Sequence, residues 1–132
     1  MHFLNRNFSH FLFIFLIILS IAGCSNSQQS AQIKIDKIAN GMKGKLPKML
    51  DANTKLVNVY TKKLELVSEY ELVNHITSDD DNQKNKIDFY LKNTVCPGIK
   101  KELLSKGISS RYIYKGKEGK VILDRLLSSD DC

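Results

Sequence analysis

Histidine is almost absent from this sequence: of three, His2 and His10 stand at the extreme N-terminus and only His75 remains beyond them. A histidine-based catalytic triad needs a nucleophile and an orienting acid within hydrogen-bond reach of the imidazole. No motif marks one here, and His75 sits in a polar stretch, where a solvated loop residue is the simpler reading. No cluster of metal-ligating side chains is visible, and no glycine-rich loop that would cradle a phosphate. The Asp79-Asp80-Asp81 run lacks the further oxygen ligands, the glycine and the closing Glu of a calcium loop. It reads as an exposed loop leading into a helix, whose N-terminus favours acidic residues. Lysine and arginine outnumber aspartate and glutamate by 20 to 14, but they are interspersed rather than gathered in a block. That argues against a nucleic-acid binder. The expectation is a protein that binds rather than an enzyme, with no cofactor and no metal.

Charge is also missing from the N-terminal segment, where Arg6 is the only charged residue before Cys24. A continuous apolar run, Phe11 to Leu19, follows it. Nine apolar residues are too few for a membrane span, which needs about 20. A basic start, a short apolar stretch and small residues at the end have the form of a secretory signal. Ile21-Ala22-Gly23-Cys24 resembles the lipobox of bacterial lipoproteins. The resemblance implies attachment of lipid, including palmitate, to the Cys24 sulfur and removal of residues 1–23. It also implies that Ser25 permits export to the outer membrane, with the domain facing the periplasm. An ordinary signal peptide is the alternative. Removing residues 1–23 takes away Arg6 alone among the charged groups, so the net charge falls from +6 to +5.

There are only three cysteines. With Cys24 committed to lipid, Cys96 and Cys132 remain. An even pair in an oxidising compartment reads as a disulfide, against the alternatives of two free thiols or a catalytic cysteine. Closing a loop of that length is worth roughly 3–4 kcal/mol in chain entropy, less any strain. A small domain with a modest core benefits from such a link.

The remaining chain divides by pattern. Residues 24–30 are the lipidated cysteine and a polar tract read as a flexible tether. Residues 31–132 read as one domain. Ile33, Ile35, Ile38, Ala39 and Met42 suggest a helix from Ala31 to about Lys43, stopped at Leu46-Pro47. Thr54 to Tyr60 is rich in β-branched and aromatic residues. Leu64 to Val73 alternates, with Leu64, Leu66, Tyr70 and Leu72 on one face and Glu65, Glu69 and Glu71 on the other. Ile87, Tyr90, Leu91 and Val95 predict a second helix over 83–95. Pro97 reopens the chain near the start of a third, carrying Ile99, Leu103 and Leu104 and ending at Gly107. Ile108, Ser110, Tyr112 and Tyr114 share one face of a strand, and Lys115 to Lys120 supplies a turn, with Gly116 and Gly119 suited to it. Val121 to Leu127 returns. The expected fold is α+β: a mainly antiparallel four-stranded sheet with about three helices on one face and one disulfide.

Cys96-Pro97-Gly98-Ile99, the short helix ending in Gly107-Ile108, the Tyr112-Ile113-Tyr114 strand, Gly119 and the terminal Cys132 resemble the AspS-type pilotins of type II secretion systems. Leu46-Pro47-Lys48-Met49 and Thr54 also resemble a broader group of small lipoproteins. The pilotin resemblance implies a lipoprotein that binds the C-terminal segment of a secretin subunit and conducts it to the outer membrane. An exclusion or inhibitor lipoprotein of phage or plasmid type, or a carrier of lipid or a small ligand, are the other readings.

Where a partner would sit is suggested by the last hairpin. Ile113 alternates against Tyr112 and Tyr114, and Ile122 and Leu126 against Val121, Leu123 and Leu127, so both faces carry apolar groups. One set packs under the helices; the other needs cover from the chain or a partner. Tyr112, Ile113, Tyr114, Ile122 and Leu126 are therefore the candidate contact residues. Among Tyr60, Tyr70, Tyr90, Tyr112 and Tyr114, some pack the core and some could line a groove, since tyrosine offers a large contact area with a polar tip.

Overall fold

A computed structural model describes residues 25–74 and 80–132. The expected signal segment, Cys24, His75 and Asp79 lie outside the described residues. A compact unit spans Ala31–Cys132. Its elements are helix α1 (Ser25–Lys43), strands β1 (Lys48–Met49), β2 (Thr54–Lys62) and β3 (Glu65–Leu72), helix α2 (Asp81–Tyr90), a π-helical turn (Leu91–Val95), helix α3 (Cys96–Glu102), a 3₁₀ turn (Leu104–Lys106), and strands β4 (Ser109–Lys115) and β5 (Val121–Leu127). Helix α1 starts six residues before the expected Ala31, taking in the Ser25–Ser30 tract. The side chains of Asn26 to Ser30 are exposed, and burial begins at Ala31.

The sheet has five strands in sequential order, not four, and it is mixed, not antiparallel throughout. The two-residue β1 adds an edge by pairing Lys48 with Leu56 and Met49 with Lys55. At the centre, β3 and β4 run parallel, with Tyr70 opposite Tyr114 and Ser68 opposite Tyr112. A parallel pair needs a long crossover, and the helical run 81–102 supplies it.

That run also corrects the expected helix count. Pro97 lies in the first turn of α3, as expected, but no break separates α3 from α2, because the chain runs on helically through the π turn. A proline inside an α-helix loses a hydrogen bond and crowds the preceding turn. The wide π turn just before it relieves that crowding: the Cys96 N–H reaches back five residues to the Leu91 carbonyl. Two helical stretches therefore pack on the sheet, α1 and the run 81–102. The second ends where Gly107 takes the left-handed conformation (φ 73°), which closes the 3₁₀ turn at little cost for glycine.

Both stretches cover the same face. Ala31, Ile35 and Ala39 of α1 pack on Leu56, Val59, Leu66, Leu103 and Ile108. Ile87, Leu91 and Cys96 pack on Leu72, Tyr112, Tyr114, Ile122 and Leu127. A bulge at Val57 shifts the alternation of β2, so that Leu56 and Val59 can both face inward. Cys96 and Cys132 form a disulfide, S–S 2.03 Å, tying the tail after β5 to the start of α3. Beside it Arg125 pairs with Asp88 at 3.2 Å and Asp131 at 3.7 Å, joining β5, α2 and the tail.

The opposite face of the sheet is closed by charge. Glu65, Glu69 and Glu71 project from β3, as the alternation predicts. Arg111 pairs with Glu65 at 2.7 Å and with Asp124 at 3.0 Å. Lys115 pairs with Glu69 at 3.3 Å and Lys55 with Glu71 at 2.8 Å. The stems of these long side chains cover apolar surface while their heads stay wet. Val67, flanked in register by Tyr60 and Arg111, is fully buried as a result.

Candidate functional site

A groove of about 500 Å³ opens on the helix-covered face, beside α2 and at the end of the sheet where β2 begins. Its floor is aromatic. Tyr70 of β3 lies between two tyrosines of β4: its ring centroid is 4.6 Å from that of Tyr114 and 6.2 Å from that of Tyr112, both nearly parallel. The parallel β3–β4 pairing creates this stack, because it sets Tyr70 level with Tyr114 and one step past Tyr112. Leu72 completes the floor.

One wall comes from the loop before β2, carrying Leu50, Asp51 and Thr54. The loop is held by its own hydrogen bonds. The Asn53 N–H donates to Asp51 Oδ1 at 2.7 Å, and the Leu50 N–H to the Thr54 carbonyl at 2.9 Å. The end of β3 is tied to it, with the Val73 N–H donating to the Asn53 carbonyl at 2.9 Å. The Asn53 N–H also holds the Asp51 carboxyl below the usual carboxylate range, so this wall keeps its negative charge.

The other wall is α2. Asp80 caps it by accepting the Gln83 N–H at 3.0 Å. Gln83, Lys86, Ile87 and Tyr90 then recur at three and four residues along one side of the helix, facing the groove together with Val95. Lys86 has no ion-pair partner among the described residues. Leu50 and Tyr90 stand at the mouth, each about half exposed.

The floor tyrosines are neutral, Tyr112 and Tyr114 buried and Tyr70 half-buried. Burial, helped by the neighbouring Tyr112, pushes the Tyr70 phenol up to about 12. Burial raises Tyr112 and Tyr114 as well. The Ser110 hydroxyl donates to the Tyr112 hydroxyl at 3.2 Å. Such a surface can take apolar and aromatic groups and satisfy a few polar ones. Its volume lies within the usual range for small-ligand sites, about 300–1,000 Å³. Among the described residues, no three His, Cys, Asp or Glu side chains converge as a metal site.

The five candidate contact residues are not brought together. Tyr112 and Tyr114 line the groove. Ile113 alternates to the charged face, half-buried beside Asp124 in register, and Leu126 lies exposed on that face opposite Arg111. Ile122 is in the core, because the register shift after Tyr114 leaves it unpaired and lets it turn inward beside Leu123. Sequence reasoning did not assign Leu50, Asp51, Gln83, Lys86, Ile87 and Val95 to a site. The signal that was available is the tyrosines: four of the five, all but Tyr60, line this one groove.

No known family model matches the chain, and no curated protein matches its sequence. Solved structures do match its fold. A Pseudomonas aeruginosa protein described as secreted superimposes with a TM-score of 0.68, covering 83% of this chain and 99% of its own, at 14% identity. The type 2 secretion system pilotin EpsS of Vibrio vulnificus gives 0.63, covering 81% and 96%, also at 14% identity. The type II secretion pilotin AspS of Vibrio cholerae gives 0.59, covering 82% and 97%, again at 14% identity. The chain therefore shares the fold of type II secretion pilotins.

Proposed function

We propose that this chain is a pilotin-type lipoprotein: anchored through lipid on Cys24 in the outer membrane, it holds an apolar segment of a protein partner in the tyrosine-floored groove. It acts by binding and carries out no turnover. The partner of this reading is the C-terminal segment of a secretin, taken as an amphipathic helix laid along the groove, a recurring mode of peptide recognition. The observation that carries the reading is the groove itself, an aromatic floor opened to solvent between two walls that mix apolar and polar side chains, in a fold shared with two pilotins. Anchoring is supported by the Ile21-Ala22-Gly23-Cys24 motif. It would leave the domain free to meet a partner at the membrane.

Calorimetry of the purified protein against the C-terminal peptide of the secretin from the same genome tests this. Leu50 is half exposed at the mouth, so Leu50→Asp should leave the fold intact while placing a charge where an apolar partner group must be desolvated. Binding of the unaltered protein is expected, weakened at least tenfold by Leu50→Asp, or about 1.4 kcal/mol. Absence of binding, with an unchanged secretin distribution after gene deletion, removes the secretin as partner. Labelled palmitate should enter the unaltered chain and not Cys24→Ala; equal labelling of both removes the lipid anchor.

A further inference from the structure

The fold gathers lysines that the sequence scatters. Lys34 Nζ lies 3.0 Å from Glu102 Oε2, and Lys106 Nζ reaches the same oxygen at 4.0 Å. Thr61 Oγ1 donates to Asp36 Oδ1 at 2.6 Å, which sets the β2–β3 turn, with Lys62 and Lys63, beside the same part of α1. The start of β4 joins this end, its Ser109 N–H donating to the Leu64 carbonyl at 3.0 Å. Lys37 and Lys101 stand next in sequence to Asp36 and Glu102, and both are exposed. Six lysines thus share one end of the domain with two carboxylates, Glu65 being engaged by Arg111.

The position of this cluster is informative. Asp36 of α1 meets Thr61 near the end of β2, while Lys48, beyond the helix, pairs with Leu56 near its start. Helix α1 therefore runs against β2, and the compact unit begins, at Ala31, on the lysine end. The groove lies at the start of β2, around Thr54. The nine residues of β2 separate the two ends by roughly 25–30 Å.

We propose that this lysine end, formed by Lys34, Lys37, Lys62, Lys63, Lys101 and Lys106, is a docking surface for anionic phospholipid headgroups. It would hold the domain upright on its membrane with the groove facing away. The inference rests on the reading that the chain is anchored through its N-terminal segment. A lysine near an anionic bilayer surface is drawn to it, an attraction that falls off within a Debye length and is weakened by salt. The charge complementarity and the emergence of the chain at this end favour lipid as the occupant.

Lysine acylation followed by mass spectrometry tests it on the full chain purified from membranes. The protein is reconstituted in vesicles of phosphatidylcholine, or of phosphatidylcholine mixed with phosphatidylglycerol. The expected result is that acylation of Lys37, Lys62, Lys63, Lys101 and Lys106 slows at least about threefold in the anionic vesicles. Rates at Lys86 and Lys117 should not change, and the slowing should fade at high salt. Replacing both turn residues, Lys62→Glu and Lys63→Glu, should restore the rates at Lys101 and Lys106. Equal rates in the two vesicles, slowing that survives high salt, or slowing unaltered by the double substitution would each overturn the proposal. The outcome is separate from that of the groove: a bound peptide covers Lys86 and leaves the lysine end as it was.

Discussion

Tyr70, Tyr112 and Tyr114 make the floor of the groove, and their burial has a consequence for pH. Each phenol is neutral in the folded chain and is raised above its ordinary value near 10, Tyr70 to about 12. Unfolding returns them to that ordinary value. Above pH 10 the unfolded chain loses these protons first and is stabilised by it, so folding stability falls as pH rises. Below pH 10 the contribution is fully present and flat. Denaturant titrations at increasing pH should show stability unchanged by these groups up to about pH 9.5. It should then drop through pH 10–12 with a slope of up to about 1.4 kcal/mol per pH unit for each tyrosine. A stability that stays level to pH 12 would mean that the three phenols ionise freely in the folded chain. Tyr70→Phe should reduce the slope, since it removes one of the three protons.

At the level of elements, the π turn decides where Cys96 points. It holds one residue more than an α-helical turn, so the Cys96 side chain sits one helical step, about 100°, further round than an α-helix would place it. Deleting Thr94 should convert the turn to ordinary α-helix and swing Cys96 away from Cys132. Thiol titration would then find two free cysteines, and denaturation would show a loss of roughly 3–4 kcal/mol. Retention of the disulfide after the deletion would mean that the turn does not set the direction of Cys96.

These same elements divide what was legible in the sequence from what was not. The inner face of β4, Ile108, Ser110, Tyr112 and Tyr114, could be read directly, because alternation is a local property of a strand. So could the wet face of β3 and the glycine that ends the run before β4. The parallel pairing of β3 with β4 could not be read, since which distant strand becomes a neighbour is decided by packing rather than by either strand alone. The tyrosine stack depends on that pairing and was hidden with it. Pro97 marks the first turn of α3 and was legible, whereas the π turn that joins α2 to α3 without a break was not. Ile122 misled because one unpaired residue reverses the alternation.

In the whole molecule, two layers produce two unlike ends. The charged outer face of the sheet is closed by its own cross-strand ion pairs, leaving the helix side to carry the groove. The groove then lies at one end of the strands and the lysines at the other, the separation that the proposed anchoring and binding require. The central claim is that a partner segment enters over Tyr70, and the five tyrosines provide their own control. Four line the groove, while Tyr60 lies outside it beside Val67 on the charged face. The direct measurement is nuclear magnetic resonance of protein labelled only at tyrosine, titrated with the secretin C-terminal peptide. The account predicts that the ring signals of Tyr70, Tyr90, Tyr112 and Tyr114 move together and saturate with one equivalent, while that of Tyr60 stays in place. A shift at Tyr60 with the other four unmoved would contradict it, placing the partner on the opposite face of the sheet.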